Sequence, residues 1–180
     1  MEDRRARRPT KDDRAAGRTH VVYELRLLRE VVDAHTAAMG GGQTPAIDVI
    51  SRRRAMCTIS ALRDSALMHL RTLYEFFTKN TLTRDDMAAS DYFGDSSWSP
   101  SSELVELSKA IEDINKFRSH LTYTRTDRSR AWSLESFMHE IERAFDGFLQ
   151  ALDDDERDRW MTLLDDDSWL PVRNTGRGVT

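Results

Sequence analysis

The sequence predicts an all-α fold, an antiparallel up-and-down bundle of four main helices with a short C-terminal helix. Three observations carry this reading. Apolar residues recur at spacings of three and four over four long segments, which marks one buried face of a helix. Hydroxyl–proline pairs at Thr44-Pro45 and Ser99-Pro100, and the run Gly40-Gly41-Gly42, punctuate those segments as helix starts and stops. No segment sustains the period-two alternation of a strand, and no internal repeat is present.

Residues 1–18 read as a mobile basic tail, with Pro9 and Gly17 and no periodicity. Helix one is expected over 19–39, where Val21, Leu25, Leu28, Val32 and His35 share a face. The glycine run ends it. Helix two is expected from Thr44-Pro45 to about Lys79, with Ala55, Ile59, Leu62, Ala66, Leu70, Leu73 and Phe77 as its stripe. A connection spans 80–98, in which Thr83-Arg84-Asp85-Asp86 resembles a capping box opening a short turn through 87–89. Helix three follows Ser99-Pro100 to about Tyr123, carrying Leu104, Leu107, Ile111, Ile114, Phe117 and Leu121. After an arginine-rich link over 124–131, helix four starts near Ser133 with Leu134, Phe137, Ile141, Phe145, Phe148 and Leu152. Asp153-Asp154-Asp155-Glu156 opens the short fifth helix, its acids at the positive end of the helix dipole. The expected organisation is therefore one bundle domain over 19–164, with 165–180 a loose tail.

At 180 residues, one domain with a sizeable core is expected. No apolar run approaches the roughly 18 residues that a membrane helix needs, and the N-terminus lacks a signal-type stretch, so no membrane association is expected. The single cysteine, Cys57, excludes an intramolecular disulfide and suggests a cytoplasmic location. A net charge of −4 argues against a generally basic nucleic-acid binder. The charge is uneven, however: residues 150–170 hold eight acidic and two basic side chains, whereas the middle carries Arg52-Arg53-Arg54 and a second basic segment, Lys116 to Arg130, which can attract phosphate locally.

Cofactor chemistry finds no support, so no cofactor and no metal is expected. His139-Glu140-Ile141-Glu142-Arg143 begins like a zinc-protease helix but has arginine where the second histidine is needed. The glycine run is followed by Gln43-Thr44-Pro45, without the lysine of a phosphate loop. His69 and His35 lie on apolar stripes and read as hydrogen-bonded core histidines. His120 differs. It borders the core stripe of helix three and faces Lys116, Tyr123, Thr124 and Arg125. A histidine there can exchange a proton near neutral pH, with arginines lowering its pKa and able to stabilise a pentacovalent phosphate. Its structural alternative is a helix-end cap.

The stretch Ile114-Asn115-Lys116 … Ser119-His120-Leu121-Thr122 … Arg125 resembles the end of the third helix in HEPN-like bacterial proteins of the AbiU2-like sort, a family of uncharacterised helical proteins. The stretch from His69 to Phe77, and that from Arg84 to Phe93, resemble the same group. The resemblance implies an antiparallel helical bundle, often dimeric, and in many members a metal-independent ribonuclease of toxin–antitoxin, phage-abortive or CRISPR systems. Other members are binding modules without activity. The family's active motif is an arginine followed by four to six residues and then a histidine. The matching positions ahead of His120 are Asp113, Ile114 and Asn115, so the motif is broken there. Arg14 with His20, Arg29 with His35 and Arg63 with His69 also satisfy the spacing, and Arg63-Asp64 … His69 is the best formed of these.

Two functional expectations follow. The first is a HEPN-like ribonuclease or toxin of bacterial defence, a homodimer through its helix-three side, with His120, Asn115, Arg118 and Arg125 lining an RNA cleft. Its partners would be RNA and a cognate antitoxin, and whether a distant arginine such as Arg71 completes the site is left open by the sequence. The second is a non-catalytic helical interaction module for a protein or nucleic-acid partner.

Overall fold

The computed structural model describes residues 9–40, 48–79, 87–93, 98–99, 103–119 (backbone alone for 117–119) and 132–166. The described chain is an all-α bundle of five helices: α1 (Lys11–Gly40), α2 (Val49–Thr78), α3 (Val105–Ser119), α4 (Leu134–Ala151) and α5 (Asp154–Asp165). One 3-10 turn, Ala89–Tyr92, lies between α2 and α3. No strand occurs among the described residues.

Four of the five helix starts have an identifiable cap, whereas the Ser133 side chain makes no capping hydrogen bond at the start of α4. α1 begins at Lys11, nearly three turns ahead of the apolar periodicity that starts at Val21. The Asp13 amide donates to Thr10 Oγ1 at 3.1 Å while the Thr10 amide donates to Asp13 Oδ2 at 2.7 Å, so a reciprocal cap sits inside the charged run. The expected tail is therefore helical from Lys11, and residues 1–8 lie outside the described chain. α2 starts behind Asp48, whose Oδ1 accepts the amides of Ile50 and Ser51 at 2.8 and 3.1 Å. Thr44 and Pro45, the expected start, lie outside the described residues, as does the expected cap at 83–86.

α3 opens at Val105, later than Ser99-Pro100 implies, because its cap comes from another helix. The buried Glu140 carboxylate of α4 accepts the amides of Glu106 and Leu107 at 3.0 and 2.9 Å. The expected continuation of helix three to Tyr123 falls outside the described residues. α4 follows Ser133 and α5 follows Asp153, both as the sequence implies, with Asp153 Oδ1 accepting the Glu156 amide at 2.8 Å.

Burial follows the apolar stripes. Val21, Leu25, Leu28 and Val32 of α1, Leu70 and Leu73 of α2, Leu107 and Ile114 of α3, and Ile141 and Phe148 of α4 form one core. On α2 the stripe is buried only from Ala66 onward, since Ala55 is exposed and Ile59 and Leu62 are half-buried. Phe148 is the centre of an aromatic cluster. Trp160 of α5 meets it edge-on at 5.1 Å between centroids, and Phe76 of α2 does so at 5.7 Å.

Polar ties run mainly from α1. Arg29 Nε donates to Glu142 at 2.7 Å and Thr36 Oγ1 to Glu135 at 2.8 Å, so partners descend α4 as α1 ascends and these two helices run in opposite senses. Partial burial pushes the Glu142 carboxyl up, but hydrogen bonds and charge from Arg29 and His139 outweigh it and hold it below the usual carboxylate range. Arg18 pairs with the buried Glu156, and the Arg26 guanidinium donates to the carbonyls of Leu163, Leu164 and Asp166 at the end of α5.

Gly17 is where α1 passes closest to the 3-10 turn. A Cβ there would collide with Met87 Sδ and stand 2.5 Å from the Tyr92 hydroxyl, which donates to the Arg14 carbonyl at 3.0 Å. Burial pushes the Tyr92 phenol up, with Arg18 opposing it only in part. Gly17→Ala is therefore expected to lower stability by about 1–2 kcal/mol despite the better helix propensity of alanine, because the Tyr92 bond and its packing are displaced. Gly147→Ala in α4, where nothing lies within 4 Å of the new Cβ, is expected to raise it by up to about 1 kcal/mol. Thermal melts of the two variants should move in opposite directions.

The Asp48 cap gives a pH-dependent prediction. Hydrogen bonds from the Ser51 hydroxyl, then from the Ser51 and Ile50 amides, hold its carboxyl below the usual range. Its stabilising contribution is thus present above the unfolded carboxyl's pKa and disappears as pH falls through the lower folded value. The gap in melting temperature between wild type and Asp48→Ala should be full at neutral pH and close in strong acid.

Candidate functional site

Of the residues assigned to the site by sequence, Asn115 and Arg118 fall in the C-terminal turns of α3. That helix is held at its other end by Glu140, whose two carboxylate oxygens each accept a backbone amide. Ile114 is buried in the core and fixes the rotation of the helix. Asn115, the next residue, is half-buried, and its Oδ1 is fully enclosed without a hydrogen-bond partner among the described residues. An enclosed amide oxygen left unsatisfied costs about 1–3 kcal/mol, and native structures keep few such groups. Lys116 points outward and pairs loosely with Glu112 at 3.7 Å. Arg118 lies within the last turn of α3, while His120 and Arg125 lie outside the described residues.

Arg71, the distant arginine considered for the same site, is engaged on its own helix. Its Nε donates to Glu75 Oε1 at 2.9 Å.

A second polar constellation lies on the seam of α1 and α2. His69 Nδ1 donates to Glu24 Oε2 at 2.6 Å, and the Ser65 hydroxyl stands 3.5 Å from His69 Nε2. His20 Nε2 is 3.7 Å from the other Glu24 oxygen. The His69 side chain is only 15% exposed, and the Glu24 side chain 12%. A carboxylate on Nδ1 fixes the ring and its tautomer. Glu24 also borders a shallow groove of about 200 Å³ whose floor is Val21, Leu73 and Phe76. Arg63, the motif partner of His69 by spacing, does not join this group. Its Nη2 lies 3.4 Å from Asp64, and a six-residue offset turns the two side chains about 120° apart around the helix.

Sequence reasoning places His69 on the core stripe but misses Glu24. The signal is present. Glu24 stands three residues after Val21 and four before Leu28, which puts a carboxylate on the apolar face of α1. Such a group requires a donor across the seam.

Among the described residues, no three histidine, cysteine or acidic side chains converge on a metal-binding set. No helix among them is long and apolar enough to cross a membrane. No family model matches this chain, and neither a curated protein nor a solved structure matches it.

The Glu24–His69 bond is expected to behave as a unit. Each of Glu24→Ala and His69→Ala should cost about 1–3 kcal/mol by orphaning its partner. The double variant should fall short of the sum by about 0.5–3 kcal/mol. Additive losses in urea unfolding would mean that the two side chains act independently.

Proposed function

We propose that this protein is a HEPN-like helical protein acting on RNA, with the C-terminal end of α3 as its working end and His120 as its proton-transfer group. The observation that carries the reading is Asn115. Its enclosed amide oxygen, without a partner among the described residues, lies on α3 five residues before His120, within the stretch that resembles the family. An enclosed polar group without a partner calls for an explanation, and a functional role is one. Trp160 Nε1 in the aromatic cluster shares this state among the described residues, so it is the position of Asn115 in the stretch of resemblance that gives the observation its weight.

The chemistry such a site performs is metal-independent. The RNA 2′-oxygen attacks the adjacent phosphorus, its proton passing to a histidine. The bond to the 5′-oxygen breaks, and the leaving alkoxide takes a proton. The products are a 2′,3′-cyclic phosphate and a 5′-hydroxyl. His120 is suited to the proton transfers. Arg118 and Arg125 supply charge for the pentacovalent phosphate, a role for which arginine's fixed fork is apt. Asn115, which stands where the family motif has arginine, orients without contributing charge. In a homodimer the two copies of this end would face one cleft.

A second reading, a non-catalytic interaction module, draws on a specific observation. Arg71 is paired with Glu75, and no arginine precedes His120 at the motif spacing.

Incubation of the purified protein with total bacterial RNA in excess EDTA separates the two. Cleavage by wild type, abolished in His120→Ala and reduced at least about tenfold in Asn115→Ala, is the expected result. The products should carry cyclic phosphate, and DNA of the same sequence should survive. Intact RNA with folded wild-type protein would overturn the ribonuclease reading in favour of the module. Equal cleavage by wild type and His120→Ala would remove His120 from the site.

A further inference from the structure

The first turns of α2 are unlike any other part of the described bundle. Residues 49–58 are exposed at every position, so the helix presents all its faces to solvent over about 15 Å. The neighbouring end of α1, from Asp33 to Gly40, has no buried residue either. The α1 and α2 ends therefore project from the core.

Arg52, Arg53 and Arg54 sit on this projecting helix. Successive residues of an α-helix turn by about 100°, so three in a row spread their side chains over roughly 200° of its circumference. Among the described residues none of the three has a carboxylate partner. This contrasts with Arg18, Arg29, Arg71, Arg157 and Arg159, each of which pairs with an acid. The nearest acid along the helix, Asp48, is committed to the amides of Ile50 and Ser51 and to the Ser51 hydroxyl. The amino end of α2 adds its own partial positive charge.

Three such guanidinium groups fanned around an exposed helix do not suit a single small anion, which would engage one side. They suit a polyanion whose charges pass on more than one side of the helix. The carboxylates of α5 lie on a different element, and Asp154 and Glu156 there are engaged by Arg157 and by Arg18 and Arg159. The chain thus carries separate acidic and basic regions despite a net charge of −4, an arrangement that steers a polyanion to one end.

We propose that the projecting start of α2 is an RNA-docking surface on which Arg52, Arg53 and Arg54 bind backbone phosphates without reading sequence. These arginines hold the RNA and take no part in its chemistry. The choice of RNA over other polyanions rests on the functional reading above, whereas the surface itself rests on exposure and charge.

The test is binding of a fluorescein-labelled 2′-O-methyl RNA stem-loop, followed by anisotropy across about 50–200 mM NaCl. This probe lacks the attacking 2′-hydroxyl and cannot be cleaved, so the result is independent of whether the protein is a ribonuclease. Full-length wild type is compared with the triple variant Arg52→Ala, Arg53→Ala, Arg54→Ala. A control removes the same charge elsewhere, as Lys11→Ala, Lys79→Ala, Lys109→Ala. Every phosphate that an arginine neutralises adds about 0.7–0.9 to the slope of log affinity against log salt. The arginine variant should therefore have a slope shallower by about two or more, and bind at least about tenfold more weakly. The control should stay within about threefold of wild type.

Cys57 provides a second readout. It is the only cysteine, it is exposed, and it lies one turn beyond Arg53. Saturating RNA should slow its alkylation in wild type but not in the arginine variant. Equal affinity and salt slope in wild type and the arginine variant would overturn the docking surface, as would a wild type that does not bind this probe. Cleavage of natural RNA through His120 alongside unchanged binding by the arginine variant would sink this inference alone. Weakened binding by the arginine variant, without any cleavage by wild type, would uphold it and sink only the nuclease reading.

Discussion

A carboxylate cannot remain in the seam between two helices without a donor, and the position of Glu24 makes that requirement the anchor of the bundle. Its side chain lies on the same face as Val21 and Leu28, so packing α1 on α2 buries it. His69 meets it at 2.6 Å, and this bond sets the axial register of the two longest helices. The register in turn brings Val21 against Leu73 and Phe76, and leaves Gly17 beside Tyr92 at the lower end. The upper end, beyond Val32 on α1 and before Ala66 on α2, holds no fully buried residue. The projecting basic end is thus a consequence of where the seam is pinned and of how long the two helices are.

The same logic extends outward. Glu140 and Glu156 are the other acids enclosed by the fold among the described residues, and each is tied to a second helix. Glu140 caps α3 from α4. Glu156 draws Arg18 from α1. A buried group with a satisfied partner adds little net stability, but the wrong packing would strand it at a cost of several kcal/mol. These three acids therefore select one arrangement of helices, while the aromatic cluster around Phe148 supplies much of the apolar burial.

Much of this is legible in the sequence, and the parts that are not share one physical feature. The stripes of α4 and α5 and their starts at Ser133 and Asp153 are local signals, and the structure has them in place. The start of α1 is hidden because a local cap, Thr10 with Asp13, lies in a run dominated by its charge. The start of α3 differs from its local signal because its cap is non-local: nothing near Val105 announces that Glu140 will satisfy its amides. Likewise the stripe of α2 continues through Ile59 and Leu62, yet periodicity alone does not say where neighbouring helices stop covering it. Of the site, Asn115 is singled out by resemblance, and its enclosed oxygen emerges only once Ile114 is seen fixed in the core. Glu24 is legible as a charge on an apolar face.

The character of the two proposed functional regions follows from these constraints. Asn115 is held near the core because Ile114 beside it is buried and because Glu140 fixes the far end of α3, so that helix is firmly supported. Chemistry needs that support, since proton transfer demands a fixed geometry. Backbone docking needs the reverse. Phosphate binding favours long side chains on an open helix that can adjust to an irregular polyanion, and it does not require a shaped pocket. Arg52, Arg53 and Arg54 occupy the least enclosed helical segment of the described chain. The proposed chemical site and the proposed docking surface thus differ in support, one backed by the core and the other open to solvent, and the helix lengths and the few buried charges set that difference.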